Sequence, residues 1–109
     1  MNLIIDAHQD LAYNILSFGR DYSRSVHQTR QIEASHPVPG LAYQSLLGWS
    51  QYNQGKVALV FGTLFAAPAR AEKELHPNLQ VYNTPAEANQ VYWNQLNFYH
   101  QLTQDHHKG

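Results

Sequence analysis

The run Lys56-Val57-Ala58-Leu59-Val60-Phe61-Gly62-Thr63-Leu64-Phe65 constrains the fold more than any other segment. After Lys56 it has no charged residue and no regular alternation of apolar with polar side chains, so neither face is suited to water. A strand of that kind belongs to a parallel sheet covered on both sides. A second apolar run, Leu3-Ile4-Ile5, is rich in β-branched residues and predicts another buried strand. Parallel strands need a crossover, and the residues from Leu41 to Asn53 supply a candidate. There Tyr43, Leu46, Leu47 and Trp49 suggest a short amphipathic helix that ends at Gly55. Two parallel strands make no stable sheet by themselves, so both runs call for neighbouring strands.

Elsewhere the chain is less regular. Between about residues 17 and 40, Gly19, Ser23, Ser25, His36-Pro37, Pro39 and Gly40 break any pattern, which predicts a long loop over a site. Residues of about 66 to 84 read as a second long connection, with one or two helical turns around Ala69 to Leu75. Thr84-Pro85-Ala86-Glu87 then marks a helix start, with Thr84 as N-cap, Pro85 at the first helical position and Glu87 placed for a capping box. Ala88, Val91, Tyr92, Leu96, Tyr99 and Leu102 follow as one apolar stripe. The predicted order is strand, loop, helix, strand, loop, helix, with no repeats: α/β, built from βα units joined in parallel.

Composition narrows the partners. A net charge of −1 with 14% charged residues gives no basic surface for nucleic acid or an anionic membrane. The absence of cysteine excludes disulfides, a thiolate zinc site and a cysteine nucleophile. Met1 to Asp6 lacks the character of a signal peptide, and no apolar stretch approaches the roughly 20 residues of a membrane helix. The expected location is the cytoplasm.

The segment with chemistry is His8-Gln9-Asp10, directly after the first apolar run. Alternate strand residues share a face, so His8 and Asp10 are expected to project together at the strand's C-terminal end. Imidazole and carboxylate are a mixed N/O pair that zinc accepts, and the C-terminal strand ends are where α/β folds place their sites. The competing reading is a hydrogen-bonded pair in which Asp10 caps the next turn. Asp6 shares their face one step deeper and is expected to support the ligands and not to bind metal itself. His27, His36, His76 and His100 read as solvent-facing, and the tail pair His106-His107 is a poor scaffold for a specific site. Arg20, Arg24 and Arg30 read as a solvated loop face, with recognition of a substrate carboxylate as the functional alternative.

Ile4-Ile5-Asp6-Ala7-His8-Gln9-Asp10-Leu11 resembles the first-strand signature of the membrane (renal) dipeptidase family of zinc metallopeptidases. Gly55 to Phe65 is similar to that family's second strand, which follows a helix and a glycine. Related amidohydrolase-like barrels often carry His-x-His at the first strand, and Asp10 in the third position matches the dipeptidase branch. The family often has Asn between the ligands and Pro after the Leu, where this chain has Gln9 and Ala12. The resemblance implies a (β/α)8 barrel of the TIM type with two zinc ions bridged by a carboxylate and a hydroxide, the hydroxide attacking a dipeptide amide bond. It implies that His8 and Asp10 bind the first zinc. The bridging Glu, two further His ligands and an Asp proton shuttle would lie on later strands, so no catalytic residue is expected within residues 1–109.

Two expectations follow. In one, residues 1–109 are a single partial domain, the N-terminal portion of a dipeptidase-like zinc metallohydrolase whose complete form takes a small peptide substrate. In the other, they form a non-catalytic α/β module that self-associates through unpaired strand edges and binds metal incidentally.

Overall fold

The computed structural model describes residues 2–69 and 76–106. The elements in chain order are β1 (Ile4–Gln9), α1 (Leu11–Phe18), α2 (Val26–Glu33), α3 (Val38–Ala42), α4 (Trp49–Gln54), β2 (Val57–Gly62), β3 (Ala67–Pro68), β4 (Val81–Tyr82) and α5 (Pro85–His106). The protein is a small mixed α/β structure of short strands and helices. β1 pairs with β2, and β3 with β4, in separate two-stranded sheets. Ile4 N–H donates to Lys56 C=O at 3.0 Å and Thr63 N–H to Gln9 C=O at 2.9 Å, so β1 and β2 run in the same direction. The expected parallel pairing through an intervening helical segment is present. Both strands are largely exposed, however: while Val57 and Val60 are half-buried, Leu3, just before β1, and Ile4, Ile5, Leu59 and Phe61 are 48 to 62% exposed. The expected burial is absent because no further strand or layer covers these residues within the described chain.

The chain divides into two compact units. The first comprises Met1–Ala7 and Arg20–Phe61. Its core is partly polar: Tyr22, Val26 and Val38 are buried together with Arg20, Thr29, Glu33 and Ser45. α2 starts on a complete capping box. Ser25 Oγ accepts from Gln28 N–H at 3.2 Å, and Ser25 N–H donates to Gln28 Oε1 at 3.0 Å. The region of residues 17–40 is therefore not one irregular loop, since it contains α2 and begins α3. Its helix is hard to see in an apolar pattern, because the buried face is Val26, Thr29 and Glu33. The single helix expected from Leu41 to Asn53 is also divided. Tyr43 adopts φ 58°, outside the right-handed helical region, and α4 begins only at Trp49. Gly48 precedes it because an added Cβ there would lie 2.5 Å from the Arg24 carbonyl oxygen. Trp49 packs against Tyr22 and stacks on Tyr52, with ring centroids 5.9 and 6.1 Å away.

Arg20, Arg24 and Arg30 take separate structural roles. Arg20 forms a buried two-point pair with Glu33, at 3.0 and 3.2 Å, and also donates to Tyr43 C=O. Arg30 donates to Ser45 C=O at 2.9 Å, and Arg24 lies 3.6 Å from Asp21 on the surface. The expected solvated face holds for Arg24 and is corrected for Arg20, whose charge is turned inward.

The second unit comprises His8–Gly19 and Gly62–Gly109. α1 buries Leu11, Ala12 and Ser17 and ends at Gly19, whose left-handed φ of 68° suits glycine. β3 and β4 run parallel, with Ala67 beside Val81 and Pro68 beside Tyr82. At the start of α5 the Thr84 hydroxyl accepts from Glu87 N–H at 3.2 Å, as the motif predicts. Glu87 itself reaches one residue further back than a standard box, accepting from Asn83 N–H at 2.6 Å. Along α5 the predicted stripe is half-buried at Ala88, Val91, Leu96, Tyr99 and Leu102, whereas Tyr92 is exposed. The most deeply buried side chain of that face is polar: Gln95 is fully buried. The helical turns expected around Ala69 to Leu75 fall outside the described residues beyond Ala69. Among the described residues, no helix is long and apolar enough to cross a membrane.

Candidate metal centre

β1 ends at Gln9, and Asp10 occupies the N-cap position of α1. His8 thus stands on the strand, while Asp10 is one step beyond it and not on the strand as the alternation predicts. The two side chains converge nonetheless, with His8 Nε2 3.4 Å from Asp10 Oδ2. The His8 side chain is largely exposed and Asp10 is mostly sheltered.

That separation is informative. A charge-assisted N–H···O contact is normally about 2.7–2.9 Å, so 3.4 Å is long for a direct bond. Two ligand atoms each about 2.1 Å from one tetrahedral zinc lie about 3.4 Å apart. The separation is one that a long hydrogen bond and two ligands of a shared ion both allow. Nor does Asp10 act as a cap: its side chain makes no capping hydrogen bond. The turn is held by Asp10 C=O instead, which accepts from Asn14 N–H at 3.1 Å and from the Asn14 side-chain amide at 2.9 Å. The carboxylate is left available to other partners.

Neighbouring residues of the same unit hold this corner. The Thr63 hydroxyl donates to Asp10 Oδ1. The Tyr99 hydroxyl, from α5, donates to Thr63 C=O at 2.9 Å and accepts from Ala12 N–H at 3.1 Å. Burial pushes the Tyr99 hydroxyl above its ordinary value of 10.0, and the nearby Asp10 charge adds to the shift, so it remains a protonated donor at neutral pH. Gly62 permits the arrangement, since an added Cβ would lie 2.8 Å from the Tyr99 ring. Just beyond, the Gln95 carboxamide accepts from Phe65 N–H at 2.9 Å and donates to Phe65 C=O at 2.6 Å. It satisfies that peptide as a neighbouring strand would.

Asp6, in the first unit, accepts a hydrogen bond from the Tyr52 hydroxyl at 3.1 Å. Burial, followed by the Asp6 interaction, raises the Tyr52 pKa. Of the remaining histidines, His27, His36 and His100 are exposed, as expected. His76 departs from expectation: it is half-buried, its ring meets Phe18 edge to face at 5.3 Å, and among the described residues its Nδ1 has no hydrogen-bond partner. His106-His107 lie outside the described side chains.

Thr63, Tyr99 and Gln95 were not legible as site residues. Thr63 belongs to the apolar run from Val57 to Phe65, one residue past the end of β2, and Tyr99 to an apolar stripe, and only contacts distant in sequence reveal their roles. Among the described residues, no group of three or more His, Cys, Asp or Glu side chains is assembled, so His8 and Asp10 meet as a pair. Comparisons of the chain with protein-family models, curated proteins and solved structures find no match.

Proposed function

We propose that the chain is the N-terminal portion of a dipeptidase-like zinc metallohydrolase, with His8 and Asp10 as two ligands of one metal ion. The observation that carries this reading is their 3.4 Å convergence at the C-terminal ends of two parallel strands. In the same reading β1 and β2 are the first strands of a (β/α)8 barrel, and the bare Leu3, Ile5, Leu59 and Phe61 meet its later elements. The complete enzyme would be cytoplasmic and act on a dipeptide or related amide. A bound zinc ion would acidify water and polarise the amide carbonyl. This chain's part is to hold the ion: His8 through Nε2 and Asp10 through Oδ2. Catalytic zinc usually has about three protein ligands, so the remaining groups belong to other strands.

A second reading also rests on the exposed strands. Leu3 and Ile5 are exposed on one face of the β1–β2 pair and Leu59 and Phe61 on the other, apolar surface of a kind that drives association, which suits a non-catalytic module that pairs with itself and binds metal incidentally.

Zinc titration of the isotope-labelled chain by NMR separates the two readings. The amide signals of His8, Gln9 and Asp10 are expected to move together and saturate, and His8→Ala or Asp10→Ala to abolish that response. Movement confined to other histidines, with residues 8–10 silent, would refute the metal assignment and favour incidental binding.

A further inference from the structure

We infer that Thr63 is the positioning residue of the metal centre, fixing Asp10 as a one-oxygen ligand. The inference rests on the proposed metal role of His8 and Asp10 and assigns a function to a residue outside that pair.

Asp10 has two carboxylate oxygens in different surroundings. Oδ1 accepts the Thr63 hydroxyl, and Oδ2 lies 3.4 Å from His8 Nε2. With Oδ1 engaged by Thr63, Oδ2 is the oxygen that meets the imidazole. Hydrogen bonds to the far atom of a metal ligand orient it in this way.

Thr63 is itself immobilised. Its N–H donates to Gln9 C=O at 2.9 Å, and its C=O accepts from the Tyr99 hydroxyl at 2.9 Å. As a β-branched residue it has few χ1 alternatives. The hydroxyl is therefore held from both sides of its own peptide. The residue that follows the last strand position of β2 in this way supports the ligand that follows the last strand position of β1.

One-oxygen binding suits an ion of low coordination number with N and O ligands, such as zinc. Calcium, which collects about six to eight oxygens and often takes carboxylates by both, is disfavoured.

The test measures site-resolved zinc affinity by NMR for the whole chain, using the signals of residues 8–10, in four variants: Thr63→Val, Thr63→Ser, His8→Ala and Asp10→Ala. Thr63→Val keeps the shape and removes the hydroxyl; it is expected to raise Kd about 10- to 100-fold. Thr63→Ser, which restores the hydroxyl, is expected to return Kd to near the starting value. Metal-free spectra that superimpose away from residues 8–10 and 63 establish that both Thr63 variants are folded. Unchanged affinity in Thr63→Val, with binding abolished by His8→Ala and Asp10→Ala, would overturn this inference alone. Equal loss in Thr63→Val and Thr63→Ser would also overturn it, since the hydroxyl would not be the active feature. Zinc shifts at residues 8–10 that persist in His8→Ala and Asp10→Ala would overturn the metal centre and the inference together.

Discussion

Glu33→Ala is expected to destabilise the first unit by about 3–5 kcal/mol, the cost of leaving a buried charge without its partner. Both side chains of the Arg20–Glu33 pair are more than nine-tenths buried, and two N–H···O bonds join them at 3.0 and 3.2 Å. In Glu33→Ala, Arg20 keeps its bond to Tyr43 C=O and loses its counter-charge. A small protein has about 5–15 kcal/mol of total stability, so this one change removes a large share of it. Replacing both residues, as in Arg20→Met with Glu33→Leu, is expected to cost much less than the single change, because no isolated charge remains. Some loss persists, since Arg20 also supports Tyr43, whose backbone holds a positive φ of 58° while its side chain lies 84% exposed. Urea unfolding of the two variants measures both effects. A Glu33→Ala loss below about 1 kcal/mol would show that the pair behaves as a surface salt bridge.

The second large effect is expected at Gln95. Its carboxamide meets both polar groups of the Phe65 peptide from a fully buried position. Gln95→Leu has similar volume and removes both partners at once. Each unsatisfied buried group costs about 1–3 kcal/mol, which places the expected loss at about 2–4 kcal/mol after the gain from burying leucine. Gln95→Glu is expected to lose at least as much at neutral pH, since a carboxylate accepts from Phe65 N–H but stands as a buried charge against the Phe65 carbonyl. Thermal unfolding gives the totals, and hydrogen exchange at the Phe65 amide locates them. Wild-type stability and unchanged Phe65 exchange in Gln95→Leu would show that water replaces the side chain.

These two positions also mark the limit of what the sequence made legible. The strands at Ile4–Gln9 and Val57–Gly62 follow from their apolar runs, and the start of Pro85–His106 follows from Thr84-Pro85-Ala86-Glu87. Such features are local: propensity, capping and periodicity act within a few residues. α2 was hidden because its inward face includes Glu33, an inward-facing charge that pairs with Arg20 thirteen residues earlier. Gln95 was missed for the same reason, since a polar residue in an apolar stripe gives no hint that it satisfies a peptide 30 residues away. The His8 and Asp10 pair was legible in spacing and in place. The change from strand to helix N-cap between them was not, and neither was the Thr63 hydroxyl beneath Asp10, because both depend on how β1 and β2 are paired.

The central claim is that His8 and Asp10 share one divalent ion, and anomalous X-ray scattering at the zinc edge tests it most directly. Crystals grown with zinc are expected to show an anomalous peak about 2.0–2.2 Å from both His8 Nε2 and Asp10 Oδ2. Zinc peaks at other histidines only, with His8 and Asp10 joined by a direct hydrogen bond of ordinary length, would contradict it.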